Sequence, residues 1–103
     1  MADSHPADPF DSPPDLTSTI IRDHAREQMV VREISEEHVR AVLGRPDEVL
    51  PVRAGRVVAQ RMIPMGSPSK DYLYRVFVDV DRDPPEMVTA YRTSQIRKYR
   101  SRP

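Results

Sequence analysis

The stretch from Tyr72 to Val80, YLYRVFVDV, constrains the fold more than any other part of the chain. β-Branched and aromatic residues dominate it, and these fit a pleated, packed surface better than a helix. Side chains alternate between the two sides of a strand. One side therefore carries Tyr72, Tyr74, Val76, Val78 and Val80, and the other Leu73, Arg75, Phe77 and Asp79. A strand that is mostly apolar on both sides belongs in the middle of a sheet.

Neighbouring segments supply partners for it. Glu48 to Arg53 reads as a short strand, and Ala54-Gly55 makes a tight connection to a second one, Arg56 to Ile63. Pro64 to Lys70, with Gly66, Ser67 and Pro68, reads as a loop. Asp81 to Pro85 reads as a turn, and Glu86 to Arg92 as the last strand. Upstream the period changes. From Leu16 to Val31 the stripe Ile21, Ala25, Met29 has the i, i+4, i+8 spacing of an amphipathic helix, with Asp15 or Thr17 as its cap. Ser35 caps a second helix with Glu36 and Glu37 in its first turn. Val39, Val42 and Leu43 form its buried side, and Gly44 and Pro46 stop it. Thr93 or Ser94 caps a short basic helix at the end. Two helices before a four-stranded, mainly antiparallel meander predict an α+β fold, with the helices on one side of the sheet and a groove on the other.

The first fifteen residues read as an acidic, proline-rich arm. Pro6, Pro9, Pro13 and Pro14 stand among Asp, Ser and Ala, with too little apolar surface to offset the entropy of ordering, so disorder is expected. A single domain over residues 16–103 follows. Residues 1–15 hold four acids and no Lys or Arg; since the chain has 16 of each sign, the domain carries 16 bases against 12 acids. Its last twelve residues include Arg92, Arg97, Lys98, Arg100 and Arg102 and no acid, a tail able to attract phosphate or simply to be solvated. There is no cysteine, which excludes disulfides and thiolate chemistry. No apolar run approaches the roughly 18 residues that span a bilayer, and no secretory leader pattern is present. A cytoplasmic protein without a membrane partner is expected, and so small a domain gains from a homodimer or a partner subunit.

The segment His24-Ala-Arg-Glu-Gln-Met29-Val-Val-Arg32-Glu33-Ile34-Ser35 resembles the opening signature of the family catalogued as domain of unknown function 4258. That signature is a histidine, a methionine five residues on, and an arginine shortly before an Ile-Ser/Thr helix start. Arg45 to Val49, Arg75-Val76, Val88 to Tyr91 and Tyr99 extend the similarity over about residues 20–100. Gln28 stands where the family commonly has arginine, so no phosphate contact is carried over to it. Glu33 stands where glycine is frequent, which predicts a less strained connection between the helices. The family is grouped with RelE-like and BrnT-like toxins. The resemblance thus implies a small ribonuclease that needs no metal or cofactor, with RNA as substrate and an antitoxin protein as partner.

Such cleavage uses the substrate's own 2′-hydroxyl. It needs a base, an acid and a cation for the pentavalent phosphate. His24, beside the buried stripe and toward the sheet edge, suits proton transfer; the plainer reading is a histidine bonded to a backbone carbonyl. Arg75 interrupts the central strand, and either pairs with an acid or lines a groove floored by Leu73 and Phe77. Arg61 and Arg56 lie on opposite sides of their strand, and Arg61 is the one expected to join Arg75. Thr89 and Tyr91 share a side, where their hydroxyls reach phosphate and Tyr91 acts with His24 and Arg75, or else packs at the sheet end. Ser94, Arg97 and Lys98 add substrate contacts. His38, expected on the exposed side of its helix, and His5 have no role, and no spacing of His, Asp and Glu suggests a metal. Two rival functions are a non-catalytic protein-interaction module of the same fold and an RNA-binding module without cleavage.

Overall fold

The structure, a computed structural model, describes residues 15–99; the expected arm, apart from Asp15, and the last basic residues Arg100 and Arg102 lie outside the described residues. It is an α+β fold. Helices α1 (Asp23–Val31) and α2 (Glu36–Gly44) precede strands β1 (Glu48–Arg53), β2 (Arg56–Met65), β3 (Lys70–Asp79) and β4 (Glu86–Thr93), and a single turn of helix, α3 (Ile96–Tyr99), follows. The strands form one antiparallel sheet in the order β1-β2-β3-β4. β3 is thus internal, as its apolar composition requires.

The two helices cover one side of the sheet. Ala25 and Met29 of α1, Ile34 of the connection, and Val39, Val42 and Leu43 of α2 pack on Val57, Ala59, Tyr74, Val76, Val78, Met87 and Ala90. Burying a side chain of this size contributes about 1.5–3 kcal/mol. Ser35 caps α2 by accepting a hydrogen bond from the His38 amide.

α1 begins seven residues later than the sequence pattern predicts. The run Thr17, Thr19, Ile20, Ile21 is rich in β-branched residues, whose stiff side chains disfavour helix. Asp15 accepts hydrogen bonds from the amide and hydroxyl of Thr17, closing a local turn instead. Ile20 then bridges the start of β4: its amide bonds Pro85 O and its carbonyl accepts from Met87. The N-cap of α1 is Arg22, which makes no side-chain capping bond.

Two further expectations change. The β2–β3 hairpin is longer than predicted, pairing out to Met65 and Lys70, so its loop shrinks to residues 66–69. Pro64 fits inside β2 because Met62, two residues earlier, turns its amide toward the β1 side, where it bonds Asp47 Oδ2. The proline nitrogen faces that same side beyond the end of β1, and no ladder bond is lost. The connection between α1 and α2 is not relaxed: Glu33 has φ 56°, in the left-handed region that disfavours a residue with a Cβ. Gly55, at φ 79° between β1 and β2, meets the ordinary case. A Cβ there would stand 2.8 Å from Asp81 Oδ2.

Candidate functional site

The strand pairing sets Glu48, Gln60, Arg75 and Tyr91 side by side, one from each strand, on the side of the sheet away from α1 and α2. Residues so paired interact directly across strands. Gln60, which has no solvent exposure, is the hinge of the row. Its amide nitrogen donates to Glu48 Oε1 at 2.8 Å and to the carbonyl of Tyr99 at 3.1 Å. With both amide protons committed, its oxygen accepts from Arg75 Nε at 2.9 Å. Arg75 Nη1 donates to the Tyr91 hydroxyl at 2.6 Å. Its guanidinium carbon lies 4.5 Å from the ring centre of Tyr99, 5.5 Å from Phe77 and 5.7 Å from Tyr91.

Arg75 is therefore half-buried and ringed by aromatic faces, and it forms no ion pair among the described residues. Nη2 has no hydrogen-bond partner among them. Farther along the same side, Arg56 and Asp79 present the opposite solution. Nε and Nη2 of Arg56 donate to the two carboxylate oxygens at 2.7 and 3.2 Å. That fork holds the Asp79 carboxyl below its ordinary pKa, against the opposing effect of burial.

A second polar group lies where α1 meets β4. Arg32 Nη1 donates to the Thr89 hydroxyl at 2.6 Å and to the carbonyl of Ala90 at 2.9 Å. Thr89 donates in turn to Gln28 Oε1 at 2.8 Å, and Gln28 Nε2 lies 3.3 Å from His24 Nε2. Gln28 Nε2 can offer His24 only an N–H, so His24 Nε2 is the acceptor in this contact. His24 is exposed and bonds no backbone carbonyl among the described residues. It lines a shallow cavity of about 270 Å³ with Glu27, Gln28, Val31 and Arg32.

The candidate residues thus divide into groups. Arg75 and Tyr91 meet; His24 and Thr89 belong to the α1–β4 cluster, in which Thr89 pairs in the sheet with Phe77, a ring neighbour of Arg75. Arg61 does not join Arg75. It lies on the helix side, where Nη1 donates to the carbonyl of Ala41, and Arg56 is the β2 arginine on the Arg75 side. His38 is half-buried, its ring set edge-on to Tyr74 at 5.2 Å. Ser94, Arg97 and Lys98 are exposed; Thr93 closes a local turn ahead of α3 by accepting from the Gln95 amide, rather than capping a helix amide. Gln60, Glu48 and Tyr99 escape a reading based on alternation alone, since their meeting depends on strand register and on how α3 folds back. The only signal for Gln60 is an uncharged polar residue inside an apolar strand. Among the described residues, no three His, Asp or Glu gather as they would around a metal ion, and no helix is long and apolar enough to cross a membrane. No family model matches the chain, and neither does any curated protein or solved structure.

Proposed function

We propose that the side of the sheet carrying Arg75 binds a phosphate group of RNA. The observation behind this reading is the state of Arg75: a half-buried guanidinium without a carboxylate partner among the described residues. Taking a cation out of water is costly unless a charge or good hydrogen bonds compensate. Three aromatic rings and the neutral Gln60 oxygen offset part of that cost and leave the positive charge intact. The free Nη2 and the Tyr91 hydroxyl proton then offer donors to phosphate oxygens. Exposed Arg97 and Lys98 on α3 add a sequence-independent attraction to the nucleic-acid backbone.

The resemblance to the family of domain of unknown function 4258, and through it to RelE-like and BrnT-like toxins, makes RNA the favoured polyanion. In the toxin form of this reading the partner is an antitoxin protein and the compartment is the cytoplasm.

Cleavage is the second reading, and the exposure of His24, which lines a shallow cavity, favours it. The substrate 2′-oxygen bonds to the adjacent phosphorus as its proton passes to a base. The bond from phosphorus to the 5′-oxygen breaks, and that oxygen takes a proton from an acid. His24, exposed on α1, serves as that base or, when protonated, as that acid. Arg75 stabilises the pentavalent phosphate with Tyr91 beside it.

One set of measurements tests both. Fluorescence anisotropy with a short oligoribonucleotide at low salt is expected to show binding that Arg75→Ala weakens tenfold or more. Equal binding by wild type and variant sinks the proposal. Incubation with RNA in chelator then separates the forms. Loss of cleavage by about 10²–10⁴-fold in His24→Ala is the catalytic expectation. Binding without cleavage leaves an RNA-binding module, and no binding at all leaves the protein-interaction reading.

A further inference from the structure

Five arginines among the described residues are half-buried: Arg40, Arg56, Arg61, Arg75 and Arg92. Arg40 pairs with Glu36 and Arg56 with Asp79. The other three form no ion pair among the described residues. Arg75 occupies one side of the sheet. Arg61 and Arg92 occupy the other, directly flanking Tyr74 in the row Arg61–Tyr74–Arg92.

The surroundings of Arg92 are cationic and aromatic. Arg92 Nη1 stands 3.5 Å from the Tyr74 hydroxyl, and its guanidinium carbon is 5.3 Å from the centre of the Tyr72 ring. Lys70 Nζ lies 5.7 Å from the same ring, and the His38 ring meets Tyr74 edge-on. The bond from Arg61 to the Ala41 carbonyl, in the last turn of α2, uses one N–H and meets only the partial charge of a helix end. The one hydrogen-bond partner of the Arg92 side chain among the described residues is the Tyr74 hydroxyl. Neighbouring strands are about 4.8 Å apart, so the two arginine backbones stand roughly 10 Å from each other, on either side of the buried Tyr74.

We propose that Arg61 and Arg92 form a second phosphate-binding site, on the helix side of the sheet, independent of whatever binds at Arg75. The ligand is a phosphate group with at least two oxygens free to accept, supplied either by free phosphate or by a nucleic-acid backbone. Arg61 and Arg92 hold it by charge-assisted hydrogen bonds from both sides of Tyr74.

The test follows the arginine Nε–Hε resonances of the full chain by NMR during titration with inorganic phosphate, and separately with a short oligoribonucleotide, against chloride at matched ionic strength. Saturable shifts at both Arg61 and Arg92 are expected, unchanged in Arg75→Lys and weakened tenfold or more in Arg61→Gln/Arg92→Gln. Because Arg61 also holds Ala41, Arg92→Gln alone is the second variant, expected to weaken the Arg61 response without unfolding. A response to phosphate but not to the oligonucleotide assigns the site to free phosphate; a response to both assigns it to either source. Shifts matched by chloride, or confined to Arg75, overturn the proposal. Silence at Arg75 with saturation at Arg61 and Arg92 sinks the Arg75 reading and leaves this one standing.

Discussion

Arg75 and Val76 are neighbours on β3, yet they belong to two chemically different surfaces. Val76, with no solvent exposure, points into the layer between sheet and helices and belongs to its apolar cluster. Arg75 points the other way, into a row of polar side chains that hydrogen-bond from strand to strand and leave only its Nη2 without a partner among the described residues. Among the described residues no buried side-chain nitrogen or oxygen lacks a partner, so the polar side is fully assembled even though its charge is not neutralised. The lesson is a division of labour. Burial on the helix side contributes stability, while the other side uses an already rigid sheet to hold a cation that water would otherwise claim.

Substitutions at neighbouring positions should separate the two roles. The largest effect is expected from Leu43→Ala on α2, which removes a buried side chain from the helix layer and should cost about 2–5 kcal/mol in denaturant unfolding. Val76→Ala should follow at roughly 2 kcal/mol, with RNA affinity per folded molecule unchanged. Arg75→Lys should do the reverse. It keeps a cation and a donor for Gln60 but loses the fork, so stability stays within about 1 kcal/mol while anion affinity falls about tenfold. A fall in stability as large as that of Val76→Ala would erase the distinction between the sides.

Smaller effects sharpen the comparison. Ser35→Ala removes the cap of α2 and should cost about 1 kcal/mol, a penalty confined to the helix side. Glu33→Gly relieves a left-handed backbone at the price of a more flexible unfolded chain, so a gain of no more than about 1 kcal/mol is expected in thermal melts. The Arg56–Asp79 pair should give the polar side a pH signature. Asp79 titrates below its unfolded value, so its contribution is fully present above about pH 4 and is lost as pH falls through the folded pKa. Asp79→Asn should flatten the acid limb of the stability curve, and an unchanged limb would show that the pair contributes nothing.

Much of this architecture is visible in local pattern. The composition of Tyr72–Val80 announces an internal strand, and Ser35 with its following acids announces α2, because alternation and capping depend on residues only a few positions apart. Pattern fails at the start of α1, where a plausible stripe through Ile21, Ala25 and Met29 overlooks the β-branched run and the Asp15–Thr17 turn before it. It fails again for Arg61: parity shows that Arg56 and Arg61 face opposite ways, but not which one faces the helices.

What the sequence determined by itself is the fold class, the order of elements and the two sets of alternating residues on each strand. These follow from short-range sterics and the period of the backbone. Only the tertiary structure decided which set the helices would cover, and that Glu48, Gln60, Arg75 and Tyr91 would line up as one row under Tyr99. Register joins residues 12 to 16 positions apart, and a slip of one would turn each strand's side chains to the opposite side. The apolar layer beneath the helices forbids that slip, and in doing so it sets the guanidinium of Arg75 among its aromatic rings.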